Sequence, residues 1–288
     1  MSNSKTKITR RTFFKGVGAL LGGGTVAALG GYAYVTQIET EWLAIEQVTI
    51  PIKNLKPAAE GFKIVHLSDF HLHPFTRIEF IREVVAQANK LKPDLTLLTG
   101  DYVLEAPESI FELAPVLAQL NARYGVFSVL GNHDYWTNAA IIEKGFAEVG
   151  LPLLKNSGLP IVSGTQHLFY LAGLDDAWSG KPNLFNALAK QLNELPSIVM
   201  VHEPDLADEI ALDGRVALQL SGHTHGGQVR LPGIGAPILP PLGEKYDLGL
   251  YRVHDMWLYT TRGIGVIDPP VRLNCRPEIT EITLVGTT

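Results

Sequence analysis

Past Glu39 the apolar positions first form a strand-like lead-in, "WLAIEQVTIPI", that closes in a proline-containing turn. The pattern then alternates between two periods. "FKIVHLSD" is a short apolar run ending on an acid, "IEFIREVVAQANKL" carries apolar residues at helical spacing, and "PDLTLLTGD" is another apolar run, ending on Gly-Asp. "SIFELAPVLAQLN" has the helical period, "YGVFSVLGNHD" reads as a strand and "NAAIIEKGFAEVG" as a helix. The order βαβαβ predicts parallel strands with right-handed crossovers, covered by helices. Ligands of such sheets gather at the carboxyl ends of the strands.

The second half is patterned differently. "LPLLKN", "LPIVSG" and "HLFYLAGLDD" predict short strands in a meander, and "NLFNALAKQLNEL" predicts a helix. "PSIVMVHEPD" and "VALQLSGHTHGG" predict strands that end in polar loops, with "MWLYTTRGIG" and "EITEITLV" as closing strands. No repeat recurs at a fixed period and no linker divides the body. The expected organisation is a leader over residues 1–37, a lead-in strand and turn over 38–62, and one domain over 63–288.

The leader has its own grammar. "ITRRTFFKGVGALLGGGTVAALGGYAYV" opens with basic residues and then runs uncharged from Gly16 to Gln37. Arg10 and Arg11, followed by Phe13, Phe14 and Lys15, resemble a twin-arginine export signal. The expected location is therefore outside the cytoplasm, in the periplasm or cell envelope. The segment is either cleaved or retained as a membrane anchor, since about 20 apolar residues suffice to span a bilayer.

Charge narrows the partners. The net charge is −5, and the first 36 residues hold Lys5, Lys7, Arg10, Arg11 and Lys15 with no acid, leaving 19 basic against 29 acidic residues in the rest. Such a body is not expected to carry a nucleic-acid surface, and a phosphate-handling site in it would need cations from elsewhere, such as metals. Cys275 is the single cysteine, which excludes an intramolecular disulfide and any multi-thiolate zinc site; it reads as a semi-buried small residue.

Five strand exits carry metal-competent side chains: Asp69, His71 and His73 in "SDFHLH", Asp101 in "GDY", Asn132, His133 and Asp134 in "GNHDYW", His202 in "VHEPD", and His223 and His225 in "GHTH". A parallel sheet brings such ends to one edge. Carboxylates, neutral imidazoles and an amide oxygen suit manganese, iron, zinc or magnesium. In D-x-H, the period of two puts both side chains on one side of an extended backbone, so Asp69 and His71 can share an ion. Asp101 has two oxygens with which to bridge two ions. His66, His167 and His254 lie outside these exits and read as structural. His73 stays open between structural and substrate-contacting roles, and Asp94, Asp175 and Asp176 read as turn or cap residues. Tyr135, Trp136 and Trp178 are either an apolar wall for a substrate or ordinary packing.

Taken in order, D-x-H, GD, GNHD, H and GHxH, from Lys63 to Val285, resemble the calcineurin-like metallophosphoesterases, and within them the bacterial exported phosphodiesterase branch, whose tail is similar to "RGIGVIDPPVRLNCRPEI". The resemblance implies an α/β fold, a four-layer α/β/β/α sandwich of two mixed β-sheets with a dinuclear metal site at the strand C-terminal ends. It assigns one divalent ion to Asp69, His71, Asp101 and His225, and the other to Asp101, Asn132, His202 and His223, with manganese favoured. It makes His133 the residue that contacts phosphate and protonates the leaving group, with Asp134 orienting its ring. "IDPP" departs from the expected small-residue loop and puts substrate contacts near Arg262 in doubt.

The implied activity is phosphodiester hydrolysis by in-line attack of a metal-bridging hydroxide. The alternative is a phosphomonoesterase, or a pyrophosphate hydrolase acting on a lipid- or nucleotide-linked substrate. A non-catalytic scaffold would be signalled by missing ligand positions, and none is missing. Implied partners are a phosphoester substrate, the twin-arginine export machinery and, through the N-terminus, the membrane; the oligomeric state is left open.

Overall fold

A computed structural model describes residues 28–192 and 195–287. The Arg10-Arg11 pattern lies outside the described residues. Residues 28–33 are helical and pass through a π turn, Tyr34–Ile38, and a 3₁₀ turn, Glu39–Glu41, into the first strand. Among the described residues no helix is long and apolar enough to cross a membrane.

The strands are β1 (Ala44–Lys53), β2 (Lys63–Leu67), β3 (Leu95–Leu98), β4 (Val126–Ser128), β5 (Ser157–Ser163), β6 (Gln166–Gly173), β7 (Ser197–Met200), β8 (Val216–Ser221), β9 (Gly249–Val253), β10 (Met256–Thr260) and β11 (Glu278–Thr287). They form two mixed sheets, in the orders β1-β11-β2-β3-β4 and β5-β6-β7-β8-β10-β9. In the first, β2, β3 and β4 run parallel, β11 runs against β2, and β1 runs parallel to β11. In the second, β6, β7, β8 and β10 run parallel between antiparallel edges β5 and β9.

Period-two alternation sorts side chains into layers. Ile64 on β2, Leu95 and Leu97 on β3, Ile198 and Met200 on β7, and Leu218 and Leu220 on β8 share one core between the sheets. Their neighbours Val65, Leu67 and Leu98 face the helices α1 (Ile78–Lys90), α2 (Ile110–Leu117) and, beyond the short α3 (Asn132–Thr137), α4 (Ala139–Val149). Val199 and Val201 face α5 (Leu184–Ala187) and α6 (Ala207–Ile210) on the opposite side. The result is the expected α/β/β/α sandwich.

Helix α1 shows why the first half was readable. Ile78, Ile81, Val84, Val85 and Ala88 repeat at helical spacing and are buried, while Glu79 and Lys90 sit at the ends where their charges suit the helix dipole. Lys92, at φ 51°, and Pro93 stop it.

Three expected elements differ. "NLFNALAKQLNEL" gives only the four-residue α5, because Phe185 and Leu192 find no core and remain 78% and 51% exposed. "LPLLKN" contributes a single bridge, Leu153 to Ser128, in place of a strand. β9, which the apolar pattern did not single out, forms a hairpin with β10.

Candidate metal centre

All five chemistry-bearing exits lie at the carboxyl ends of parallel strands: β2, β3 and β4 of the first sheet, β7 and β8 of the second. Asp69 and His71 follow β2, Asp101 follows β3, Asn132 opens α3 after β4, His202 follows β7, and His223 and His225 follow β8. The period-two argument for D-x-H does not hold, because the strand ends first. Asp69, His71, Asp101, His223 and His225 all have φ between 44° and 73°, in left-handed backbone that aspartate and histidine tolerate better than most side chains. Each costs about 1–3 kcal/mol and persists only where the surroundings over-determine it. Tight turns, not extended backbone, bring these side chains together.

The donors converge. Nε2 of His71 and Nε2 of His225 are 3.0 Å apart. His71 Nε2 is 3.4 Å from Asp101 Oδ2, His225 Nε2 is 3.4 Å from Asp69 Oδ1, and His202 Nε2 lies 3.1 Å from Asp101 Oδ2 and 3.8 Å from Asp69 Oδ1. Asn132, His133, His223 and His225 line, with Asp101, one open cavity of about 710 Å³. Gly222 allows the two sheets to meet here: a Cβ on it would stand 2.0 Å from Ser68 Oγ and 2.3 Å from Asp69 Oδ2.

Tautomers follow from fixed acceptors. The Thr99 carbonyl, 2.6 Å from His202 Nδ1, can only accept, so Nδ1 carries a proton and Nε2 is the atom turned to the two aspartates. His223 donates from Nε2 to the Pro241 carbonyl at 2.8 Å, which leaves its Nδ1 as the donor atom. Its own backbone N–H donates to both Asp69 oxygens, at 3.0 and 3.1 Å.

Burial pushes His71 and His223 down to about 3, and His225 also well below its ordinary range, so all three are neutral and able to ligate. Burial pushes Asp69 up to about 6, opposed by His202 and reinforced by Asp101. Asp101 is driven the other way: burial raises it, but His202, His133 and His71 together hold it well below the usual carboxylate range. His202 alone among the site histidines is raised, as Asp101 and Asp69 outweigh its burial. Such a place stabilises added positive charge.

His133 and Asp134 separate in their surroundings. The His133 ring stands at the cavity wall, 4.8 Å from the His71 ring and 4.7 Å from Trp136, and its backbone N–H donates to Asp101 Oδ1 at 2.9 Å. Asp134 does not orient that ring. Its buried carboxylate accepts the N–H groups of Gly131, Asp101 and Tyr102, each at 2.9 Å. Of the other sequence candidates, His73 is bonded to Glu112 at 2.9 Å and His66 to Thr99 Oγ1 at 2.8 Å. Asp175 and Asp176 accept backbone N–H groups of their own turn, including Lys181 and Ser179. Arg262 is taken up by Glu278 and Glu46. Cys275 is wholly buried rather than semi-buried, its thiol on the His225 carbonyl.

Sequence reasoning passed over three supports. Arg272 is wholly buried and donates only to carbonyls: Cys275 at 2.8 Å, Arg262 at 2.9 Å, Gly263 at 3.3 Å and Gly265 at 2.6 Å. The loop it gathers donates in turn from Ile264 and Gly265 to the Ser68 and Asp69 carbonyls. Glu203, beside His202, is buried and accepts the N–H groups of Ala177 and Trp178, which sets Trp178 against the His223 ring. The Pro241 carbonyl fixes His223. No charge pattern marks a carbonyl clamp, so only the acid of "VHEPD" carried a signal.

The chain's donors fit divalent ions. Among the described residues buried Asn132 Oδ1 has no hydrogen-bond partner, and the carboxylates of Asp69 and Asp101 converge on the neutral rings of His71 and His225 with no lysine or arginine among the cavity walls. Two packed mixed sheets with oxygen and nitrogen donors at their strand exits define a metal-dependent hydrolase centre. Residues 62–227 match the family model described as calcineurin-like phosphoesterase, and the chain belongs to that family. Its sequence is 36% identical over 287 residues to a Bacillus subtilis protein named "uncharacterized metallophosphoesterase YkuE", covering 98% of this chain and 99% of that one. It is 34% identical over 284 residues to the Escherichia coli "phosphodiesterase YaeI", with 96% and 100% covered. It is also 34% identical over 256 residues to a Danio rerio "transmembrane protein with metallophosphoesterase domain", with 83% of this chain and 57% of that one covered. One solved chain shares the fold at a TM-score of 0.51 and 11% identity, over 70% of this chain and 91% of its own. The protein is a metal-dependent phosphoester hydrolase.

Proposed function

We propose that this enzyme is a phosphodiesterase that works outside the cytoplasm with two divalent ions, manganese favoured. One observation carries the choice of ester. The walls of the 710 Å³ cavity include no lysine or arginine, but do include Glu105 and Asp268 in addition to Asp101. Asp101 would be neutralised by the ions, but Glu105 and Asp268 hold neither ion, so the second charge of a phosphomonoester dianion would meet them, whereas a diester brings a single charge and a second substituent. The 34% identity to a protein named phosphodiesterase is consistent with this.

Bound ions would supply Lewis acidity and activation of water. In this reading Asp69, His71, Asp101 and His225 hold one, and Asp101, Asn132, His202 and His223 the other. The rest falls to the chain's own groups. His133, at the cavity wall, would meet the phosphoryl oxygens and give a proton to the departing alkoxide. Asp134 fixes the backbone under Asp101, and Trp136 and Trp178, packed edge to face with centroids 5.1 Å apart, limit one side of the substrate. Attack in line with the leaving oxygen needs no covalent intermediate on the protein.

The experiment compares bis(p-nitrophenyl) phosphate with p-nitrophenyl phosphate after chelation and reloading with manganese. The diester is expected to give the higher kcat/KM; a monoester preference overturns the reading. Export is supported by the sequence at Arg10 and Arg11 and is tested by fractionating cells that carry Arg10→Lys with Arg11→Lys, where the protein is expected to stay in the cytoplasm.

A further inference from the structure

A second hollow, about 260 Å³, adjoins the metal centre and shares His223, His225, Pro240, Ile267 and Asp268 with it. Its remaining walls are mostly apolar: Val229, Pro237, Ile238, Leu239, Pro269 and Val271. Beyond the wall shared with the metal centre, the polar side chains that reach it, Gln228 and Thr224, are already engaged. Gln228 donates to the Ile267 and Pro269 carbonyls and accepts the Ile267 N–H, and Thr224 donates to the Asp247 carbonyl. Among the described residues, Asp268, on the wall shared with the metal centre, is the carboxylate that a polar group could still meet, and the deeper walls offer a sugar or a base no such side chain.

The hollow is built, not incidental. Its outer wall, "APILPPL", is pinned to the centre twice. His223 donates to the Pro241 carbonyl at 2.8 Å, and Gly227, at φ 79°, lets Ala236 approach so closely that a Cβ there would stand 2.3 Å from the alanine methyl. At the wall of the hollow Ile238 is 80% exposed, so its side chain is free to meet a group that enters there. The loop that floors the hollow, through Ile267 and Pro269, also borders residues 36–41 through Val266 and Pro270. Those residues overlap the end of the uncharged run from Gly16 to Gln37 and carry the first acids after it, Glu39 and Glu41.

We infer that the substrate is an amphiphilic phosphodiester, one of whose ester groups carries a hydrocarbon chain seated between Val229, Ile238, Leu239 and Val271. The inference rests on the phosphodiesterase reading and adds the chemical class of substrate. The chain would enter past Ile238 while the phosphoryl group lies at the centre, so affinity should grow with chain length until the hollow is full.

The test is a series of methyl, hexyl and dodecyl p-nitrophenyl phosphodiesters, assayed on the manganese-loaded full chain below their micelle concentrations. The kcat/KM is expected to rise at least about tenfold from methyl to dodecyl, chiefly through KM. Ile238→Asp should bring the dodecyl-to-methyl ratio close to one, and Ile238→Leu should preserve it; because Ile238 is largely exposed, neither change threatens folding. A flat series, or an unchanged ratio in Ile238→Asp, overturns the inference and leaves the phosphodiesterase reading intact. Absence of turnover across the series and of bis(p-nitrophenyl) phosphate, with every divalent metal tried, overturns that reading and this inference with it.

Discussion

Asp134 holds the main chain of Asp101: its Oδ2 accepts the Asp101 N–H at 2.9 Å. The same carboxylate takes the N–H groups of Gly131 and Tyr102, so one side chain joins the exits of β3 and β4. Asp134→Ala would leave three buried donors without an acceptor, at a cost of about 3 kcal/mol or more. Urea unfolding is the measure, and an unchanged midpoint would contradict the role.

His133→Ala should separate rate from metal. Its backbone N–H, which the substitution keeps, makes the contact with Asp101 Oδ1. Loss of a proton donor costs about 100-fold or more in kcat. Elemental analysis should find both ions still bound, and their loss would make His133 a ligand instead.

Removal of metal should weaken the fold as well as stop the reaction. Buried Asp69 and Asp101 would again face one another across His202. An ion present at about a thousand times its Kd stabilises by about 4 kcal/mol, which for a domain of this size is roughly 10 °C in Tm. Thermal unfolding with and without chelator reads this directly, and coincident curves would argue against a loaded site. Asp101→Ala should lower metal content and rate together.

Gly222→Ala places a methyl where Ser68 and Asp69 already stand. The expected outcome is a folded protein with at least tenfold weaker metal binding by competition with a chelating dye. Retained affinity would mean that the β2 and β8 exits can move apart at no cost.

His66 is buried, on Thr99, and burial pushes it down to about 3. The unfolded chain takes up its proton near pH 6.5 and the folded one does not, so its share of stability is complete above about 6.5. That share is lost as pH falls from there towards 3, by about 1.4 kcal/mol per pH unit. His66→Gln should flatten the pH dependence of unfolding free energy by close to one proton between pH 6 and 4. Identical slopes would show that His66 charges in the folded state.

The convergence of these donors was legible because each is a polar interruption directly after an apolar run, and parallel topology does the rest. The reason given for the spacing was not legible: Asp69 and His71 meet through left-handed turns, which residue identity permits but does not announce. Asp134 was legible as important and misread in its contact, since an acid beside a histidine in sequence need not touch it in space. Arg272 escaped because its partners are carbonyls contributed by the backbone of residues 262–275. The apolar hollow escaped for a related reason: "APILPPL" reads as loop, and only the fold brings it beside Val271.

The last strand of the chain lies between the first two. β11 pairs with β1 over ten residues, Ala44 against Glu278 through Lys53 against Thr287, and β2 lies on its other side. Strand β1 therefore has no sheet to join until residues 278–287 have been made, and such distant pairing is slow. A protease or a transporter that captured the chain before β11 was made would find β1 without its partner and the first sheet unclosed.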